Sequence, residues 1–240
     1  MLSVLVTGTN RGLGRGLVGE LLNAPTVGIV IATVRNVEVA KELMRIDSPK
    51  LHVITCEVTD ENSVAAAVKK ASQIVGGKGL DILINNACIK HRVPLNGDVT
   101  KAMAMEQLEV NTVGPLLMAT RFHGLLKRAA ELNGSAQIIN ISSASGSLEQ
   151  ALRVDWGPPS LYSISKAALN MLTRKLALEW KADKIRATAF TPGWVRTDER
   201  SANADQSVEE ASAKLIKMIL SLTEDNNGEF YGPTGNKIPW

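Results

Sequence analysis

Two ionisable side chains stand four residues apart in the segment YSISK, which runs from Tyr162 to Lys166. Residues at this spacing share one face of a helix, so the ammonium of Lys166 can lie beside the phenol of Tyr162. A nearby positive charge favours the phenolate and lowers its pKa from about 10, which would make Tyr162 a usable general acid. Such pairs also occur on solvated helix faces, so the rest of the chain must decide between the two interpretations.

A glycine-rich segment, TGTNRGLG at residues 7–14, follows an apolar run and precedes a helical pattern. Glycine permits a tight turn and a close approach of the backbone to a ligand. The N-terminus of the next helix offers unpaired N–H groups and a positive dipole end to a pyrophosphate. The spacing Gly-x-x-x-Gly-x-Gly at this place indicates nucleotide binding rather than a merely flexible turn. The residues expected at the cofactor are Gly8, Asn10, Arg11, Gly12, Leu13 and Gly14.

The second apolar run ends in Arg35-Asn36, where sites for NAD usually carry an acidic residue that accepts hydrogen bonds from the ribose. A carboxylate would repel a 2′-phosphate, whereas the guanidinium of Arg35 can bind it through two hydrogen bonds. Arg11 offers a second positive charge. The sequence therefore predicts NADP(H) as the cofactor, against the alternative that Arg35 is an ordinary solvated residue.

Two further polar positions are candidates for the reacting site. The sequence SSASG at residues 142–146 follows an apolar run, so it delivers a serine hydroxyl that can hydrogen-bond a carbonyl oxygen; a polar loop is the alternative. Asn111 precedes Gly114-Pro115 within a helical pattern. Because Pro115 has no N–H, the carbonyl of Asn111 is free to bind water or another donor; a local kink is the alternative.

Strand-like and helix-like segments alternate along the chain and must position these residues. The apolar runs predict buried parallel strands, and the segments between them have helical spacing. The pattern predicts an α/β fold with a doubly wound, Rossmann-type parallel sheet, helices on both faces and a ligand site at the carboxyl ends of the strands. The predicted strands are 2–7, 28–34, 51–56, 80–85, 136–141 and 185–190; the predicted helices are 15–22, 37–45, 62–74, 101–132, 160–181 and 207–222.

Composition fits one domain over residues 1–240, with 45% hydrophobic residues and no linker-like segment. The 27 basic and 24 acidic residues are interspersed, which argues against a nucleic-acid partner. No leader or long apolar run indicates secretion or a membrane, and Cys56 and Cys88 fit reduced thiols in the cytoplasm. The cysteines and histidines lack metal-ligand spacing, so no metal is expected. The basic cluster 90–92 is expected to be a solvated loop, with a role at the mouth of an active site as the alternative.

In combination these residues closely resemble the short-chain dehydrogenase/reductase family over nearly the whole chain. Within the pattern Ser-Ser-x-x-Gly, Ser143 rather than Ser142 matches the family's catalytic serine. The end of the chain, 228–240, is most similar to the C-factor and sniffer-type carbonyl reductases. The motifs that carry the resemblance, in the family's order, are the glycine loop, Asn85-Asn86-Ala87, Asn111, Ser143, Tyr162-x-x-x-Lys166 and Pro192-Gly193.

The resemblance implies that a nicotinamide gives hydride to a carbonyl carbon while Tyr162 protonates the carbonyl oxygen. Ser143 would orient that oxygen. Lys166 would hold the nicotinamide ribose and lower the pKa of Tyr162, and the carbonyl of Asn111 would anchor a water linked to Lys166. Besides Tyr162, Lys166, Arg35 and the glycine loop, the implied cofactor contacts are Glu57, Val58, Asn85, Asn86, Ala87, Pro192, Gly193, Val195 and Thr197.

The chain departs from the family pattern in three places. Cys88 replaces the glycine that usually follows Asn-Asn-Ala, and Glu57 replaces an aspartate. The interval before Tyr162 is longer than usual, with the excess in 148–159. We expect this segment to form one wall of the substrate pocket through Trp156. Trp194 is a second candidate wall, against the alternative of a packed core aromatic, and Ser143 and Tyr162 complete the expected pocket.

The resemblance implies an NADPH-dependent reductase of small to medium, partly apolar aldehydes or ketones. One alternative is oxidation of a secondary alcohol, because the same residues serve both directions. A second is a cofactor-bound signalling protein with little turnover. Extended nucleotide-sugar epimerases share the Tyr-x-x-x-Lys pair, but they carry a larger substrate domain than the segment after Thr197 provides. Family members often form a homodimer or homotetramer, which is expected here through the helices that contain Asn111 and Tyr162.

Overall fold

Seven parallel strands form one sheet in the computed structural model of the protein, which describes residues 1–152, 160–197, 204 and 206–240. The strands are β1 Leu2–Val6, β2 Val27–Val34, β3 Leu51–Thr55, β4 Ile82–Asn85, β5 Ala136–Ile141, β6 Ile185–Phe190 and β7 Phe230–Tyr231. They are ordered β3-β2-β1-β4-β5-β6-β7 across the sheet. The predicted doubly wound parallel sheet is confirmed.

The helices connect successive strands and cover both faces of the sheet. Their bounds are α1 Gly12–Asn23, α2 Lys41–Met44, α3 Glu61–Val75, α4 Lys101–Leu108, α5 Gly114–Asn133, α6 Ser160–Glu179 and α7 Val208–Leu220. Alternate residues of each strand point to opposite faces. Val4 and Val6 therefore join a buried cluster with α1 and α7, while Leu5 joins a second cluster with α3, α5 and α6. Burial on both faces explains why apolar residues predominate in these strands.

The structure differs from the predicted segments in several places. The predicted helix 37–45 is a 3-10 turn at Val37–Val39 followed by the short α2, since the side chain of Asn36 caps the turn. The predicted helix 101–132 is interrupted by a π-helical turn at Glu109–Val113. Strand β4 begins at Ile82 rather than at residue 80, and β7 was not predicted because two residues show no periodicity.

The sheet order explains where a ligand can bind. From β1 the chain moves outward through β2 to β3, then returns to pair β4 with the other side of β1. A crevice opens where the strand order reverses, outside the carboxyl ends of β1 and β4. The glycine loop follows β1. The segment Asn85-Asn86-Ala87 begins at the last residue of β4, so both predicted cofactor segments meet at this crevice.

At the amino ends of the strands, away from the crevice, the buried carboxylate of Asp81 connects the start of β1 to the residues before β4. Its Oδ2 accepts hydrogen bonds from the backbone N–H of Ser3 at 2.7 Å and the Ser3 hydroxyl at 2.8 Å. Its Oδ1 accepts one from Nδ2 of Asn133 at 2.7 Å. This carboxylate therefore links the sheet to the end of α5.

Replacing Asp81 by alanine is expected to lower the free energy of unfolding by about 2 kcal/mol, because buried donors lose their acceptor. Urea unfolding followed by circular dichroism measures the loss. Asp98→Ala, at an exposed loop residue, is the control and should change stability by less than about 0.5 kcal/mol. Equal stability of the two variants would contradict this role of Asp81.

Two other features can be stated for the part of the chain that the structure describes. Within it, no helix is both long and apolar enough to cross a membrane. Within the same residues, no group of three or more histidine, cysteine, aspartate or glutamate side chains is placed to hold a metal ion.

Candidate active site

The glycine loop forms a cradle between β1 and α1. Gly8 and Gly12 have φ values of +70° and +55°, a region that other residues rarely adopt. A Cβ on Gly8 would lie 2.8 Å from Cα of Ala87, so the loop touches the segment that follows β4. Arg11 precedes the first turn of α1 and makes no side-chain cap there. The first N–H groups of α1 therefore remain available to a phosphate.

Thr7 joins the two cofactor segments. Its hydroxyl oxygen accepts hydrogen bonds from the backbone N–H groups of Asn86 and Ala87, each at 3.0 Å. In return, Nδ2 of Asn86 donates to the carbonyl oxygens of Thr7 at 2.9 Å and Gly8 at 3.2 Å. These bonds fix the relative position of the glycine loop and the Asn-Asn-Ala segment.

Asn85 is buried at the end of β4 and extends this polar layer into the sheet. Its Nδ2 donates to Oδ1 of Asn140 at 2.9 Å, and Nδ2 of Asn140 donates to the Thr173 hydroxyl at 2.8 Å. Oδ1 of Asn85 is buried and has no hydrogen-bond partner among the described residues. An unpaired buried acceptor is costly, so a ligand or water that supplies a donor here would be stabilised.

The residues expected to lie around the adenosine half of the cofactor follow β2 and β3. Arg35 and Arg11 are exposed, and neither pairs with a carboxylate within the described ranges. Val58 is buried, and a Cβ on Gly114 would lie 2.9 Å from its Cγ2, so its side chain packs against α5. Oε1 of Glu57 accepts a hydrogen bond from the Thr59 hydroxyl at 3.1 Å. Both residues thus sit at the carboxyl edge of the sheet.

The segment after β6 closes over the glycine loop. Gly193 has a φ of +77°, and Thr197 faces Gly12, whose added Cβ would lie 3.4 Å from Cγ2 of Thr197. Gln206 holds this segment in place, because its Nε2 donates to the carbonyl oxygen of Pro192 at 2.5 Å. Gln206 also forms a bridge with Val195. The segment that contains the four predicted residues lies beside the glycine loop and is held there by Gln206. These residues are Pro192, Gly193, Val195 and Thr197.

Asn111 lies in the π-helical turn between α4 and α5, and its side chain is fully buried. Oδ1 of Asn111 accepts a hydrogen bond from the N–H of Ile89 at 2.9 Å, and Nδ2 donates to the Ile89 carbonyl at 2.9 Å. Nδ2 also donates to the Ser165 hydroxyl at 3.0 Å, which donates to the Tyr162 carbonyl at 2.8 Å. Asn111 thus connects the segment after β4 to α6.

The ammonium of Lys166 is buried beneath the site. Its Nζ donates a hydrogen bond to the carbonyl oxygen of Ile141 at 2.7 Å and lies 5.6 Å from the centroid of the Tyr162 ring. Close packing on the other side comes from Gly146, where a Cβ would lie 2.6 Å from the carbonyl carbon of Lys166. Burial lowers the pKa of Lys166, although the Cys88 thiol opposes that effect. Lys166 therefore joins α6 to the end of β5, two residues before Ser143.

The expected lowering of the Tyr162 pKa by Lys166 is not found. Burial is the largest effect and raises the pKa of Tyr162, and the charge on Cys88 raises it further. The hydrogen bond between the Tyr162 phenol and the Ser143 hydroxyl acts in the opposite direction. The expectation was wrong because burial of the Tyr162 phenol outweighs the other effects on its pKa, and the Lys166 ammonium donates its hydrogen bond to the Ile141 carbonyl instead.

The predicted substrate pocket is described only in part. Ser143 follows β5, and its side chain interacts with the Tyr162 phenol. The Ser143 hydroxyl also donates a hydrogen bond to the Ser145 hydroxyl at 3.1 Å. The side chain of Trp194 is 53% exposed, which excludes the alternative of a packed core aromatic. Trp156 lies outside the described residues. The expected wall therefore rests on Trp194 in the part of the chain that is described.

Several residues that hold the site together were not predicted. Thr7 and Gln107 carried a weak signal, since Thr7 adjoins the glycine loop and Gln107 precedes Asn111 by one helical turn. Ser165 lies inside the YSISK segment but showed no separate pattern. Gln206 gave no sequence signal, because its contacts join segments that are distant along the chain. Lys90 belongs to the basic cluster 90–92, for which a role at the mouth of an active site was the alternative, but its contact with the Tyr162 ring was not predicted.

A family model described as short chain dehydrogenase matches residues 3–207 of the chain. Among solved structures, the carbonyl reductase Sniffer of D. melanogaster is similar with a TM-score of 0.94 and 33% identity, over 100% of both chains. The NADPH-bound carbonyl reductase from chicken fatty liver has a TM-score of 0.91 and 36% identity, over 99% of this chain and 98% of that one. The short chain dehydrogenase gsfK of Penicillium aethiopicum is 31% identical over 255 residues, covering 99% of each chain.

Proposed function

Because the chain belongs to the short-chain dehydrogenase family, we propose that it is an NADPH-dependent carbonyl reductase that acts on small aldehydes or ketones. The observation that carries the proposal is that the side chain of Ser143 interacts with the Tyr162 phenol at the carboxyl edge of the sheet. The buried ammonium of Lys166 lies beneath the same ring. A proton donor, a polarising hydroxyl and a cation thus stand beside a phosphate-binding cradle.

The cradle fits a dinucleotide that carries an additional phosphate. The glycines leave space where a Cβ would collide, and the first turn of α1 has free N–H groups for a pyrophosphate. Arg35 and Arg11 supply two exposed guanidinium groups at the place expected for a 2′-phosphate. The NADPH in the chicken carbonyl reductase supports the same assignment for this chain.

Bound NADPH would supply a hydride for the carbonyl carbon. The Ser143 hydroxyl would donate a hydrogen bond to the carbonyl oxygen and hold it beside Tyr162. The phenol of Tyr162 would transfer its proton to that oxygen, so the product is an alcohol. Lys166 would hold the nicotinamide ribose, and a water on the Asn111 carbonyl would link Lys166 to solvent, so that the proton lost from Tyr162 is replaced. The same groups would serve alcohol oxidation in the opposite direction.

The proposal is tested by following NADPH absorbance at 340 nm with a panel of aldehydes and ketones and identifying the alcohol product. Saturable, substrate-dependent oxidation of NADPH with stoichiometric alcohol formation is the expected result. Tight NADPH binding without turnover of any carbonyl in the panel would reject the reductase and favour the signalling role instead.

Arg35→Ser is expected to lower the preference for NADPH over NADH by about ten- to a hundred-fold in kcat/KM, because a charge-assisted contact to the 2′-phosphate is lost. Steady-state kinetics with both cofactors measure the ratio. Arg45→Ser is the matched control, since Arg45 is an exposed arginine just after α2. A wild-type enzyme that uses NADH equally well would contradict the cofactor assignment.

The outer face of α6 supports a homodimer or a larger homo-oligomer. Ile164, Met171 and Leu178 recur every seven residues along this helix and are 50%, 62% and 68% exposed. Residues at this spacing lie along one side of a helix, so they form an apolar stripe. A second copy of the chain would bury such a stripe, as the family resemblance implies.

A further inference from the structure

A second ammonium group borders the Tyr162 ring, and the mechanism above makes no use of it. Nζ of Lys90 lies 4.7 Å from the centroid of that ring, compared with 5.6 Å for Nζ of Lys166. Lys166 is buried and donates to a backbone carbonyl, whereas Lys90 is partly exposed on the segment that follows β4. Lys90 therefore stands on the side of Tyr162 that is open to an incoming molecule.

The backbone on both sides of Lys90 is fixed. Nε2 of Gln107 donates to the carbonyl oxygen of Ile89 at 2.6 Å, and Oε1 of Gln107 accepts from the N–H of His91 at 2.8 Å. Asn111 holds Ile89 through two further hydrogen bonds. Because the residues before and after it are held by buried side chains, Lys90 projects from a rigid frame. A cation that is already positioned loses less entropy when it binds a ligand.

Within the described residues, no carboxylate neutralises Lys90. The nearby carboxylate of Glu106 pairs with the adjacent His91, with Nε2 and Oε2 2.9 Å apart. Arg92 is exposed and also has no acidic partner in the same part of the chain. Burial, followed by the charge of Arg92, lowers the pKa of Lys90, against a smaller opposing effect of Cys88. The entrance to the site therefore carries positive charge that a bound anion would neutralise.

We propose that Lys90 binds an anionic group of the substrate, so that the enzyme prefers carbonyl compounds that also carry a carboxylate. This inference rests on the proposed reductase function. The ammonium would hold the carboxylate while the carbonyl group lies between Tyr162 and Ser143. A rival role for Lys90 is to stabilise the Tyr162 phenolate, which would affect every carbonyl substrate equally.

The test compares 4-carboxybenzaldehyde with the neutral 4-nitrobenzaldehyde for wild type and Lys90→Gln. The kcat/KM of the variant should fall by about ten- to a hundred-fold for the carboxylated aldehyde, mainly through a higher KM. For the neutral aldehyde it should change by less than about threefold. Lys90→Arg should restore much of the preference, and Lys101→Gln, at an exposed lysine that begins α4, is the matched control.

Each remaining outcome has a defined meaning. An equal loss with both aldehydes would overturn the carboxylate site and assign Lys90 to Tyr162. No loss with either aldehyde, or a wild type without preference for the carboxylated one, would also overturn it and leave the reductase function standing. A wild type that reduces neither these two aldehydes nor any carbonyl in the wider panel would reject the reductase function itself, and the inference with it.

Discussion

Replacing Tyr162 by phenylalanine is expected to lower kcat for carbonyl reduction by about 10²- to 10⁴-fold, the usual contribution of a positioned general acid. Phenylalanine keeps the ring between Lys90 and Lys166 but removes the hydroxyl that bonds to Ser143. The Ser143 hydroxyl would still donate a hydrogen bond to the carbonyl oxygen, but no general acid would remain to transfer a proton to it. Stopped-flow measurement of a single turnover separates this chemical step from product release.

Two measurements make the Tyr162→Phe result specific. NADPH affinity, followed by the fluorescence of the bound cofactor, should change by less than about tenfold, because the cradle residues are untouched. The chain has two tyrosines, so Tyr231→Phe is a matched control; its hydroxyl accepts a hydrogen bond from Nδ2 of Asn226 and lies in a separate part of the fold. If Tyr162→Phe and Tyr231→Phe turn over carbonyls equally fast, Tyr162 is not the general acid.

Gly14→Ala is expected to lower the free energy of unfolding by about 3 kcal/mol and to abolish measurable NADPH binding. A Cβ at this position would collide with the carbonyl oxygen of Gly8 and lie 2.6 Å from Nδ2 of Asn86. Both atoms belong to the hydrogen bonds that join the glycine loop to the segment after β4. The loop would have to move, and the phosphate-binding surface would move with it.

Gly19→Ala is the matched control because Gly19 lies on the same helix, α1, and a Cβ there meets nothing within 4 Å. This substitution should raise the free energy of unfolding by about 0.5–1 kcal/mol, since alanine is the better helix former. Thermal unfolding with and without NADPH measures both effects. A Gly14→Ala protein that is as stable as Gly19→Ala and still gains stability from NADPH would contradict the close packing of the cradle.

The fold could be predicted from the sequence because each buried strand is a continuous apolar run and each connecting helix has its own periodicity. The cradle could be predicted for a similar reason, since its glycines are adjacent in sequence and their chemistry is local. Tyr162 and Lys166 also stand one helical turn apart. In each case the signal lies within a few consecutive residues.

The remaining features depend on contacts between distant segments. The π-helical turn at Glu109–Val113 lies just before Pro115, which lacks an N–H, and it contains Asn111, whose side chain binds the backbone of Ile89. The pKa of Tyr162 was predicted in the wrong direction because its largest cause, burial of the phenol, is set by the fold and not by the YSISK segment. Gln206 and Lys90 act through partners that only the folded sheet brings near. Such contacts leave no periodic pattern for sequence analysis to find.

The central position of β1 has a consequence for the synthesis of the chain. β1 leaves the ribosome well before its partner β4, as the separation of 78 residues between Ser3 and Asp81 shows. During that interval one edge of β1, in which Val4, Leu5 and Val6 are consecutive apolar residues, stays unpaired. Unpaired apolar edges of this kind recruit other chains, so the nascent protein is most prone to aggregate before β4 emerges.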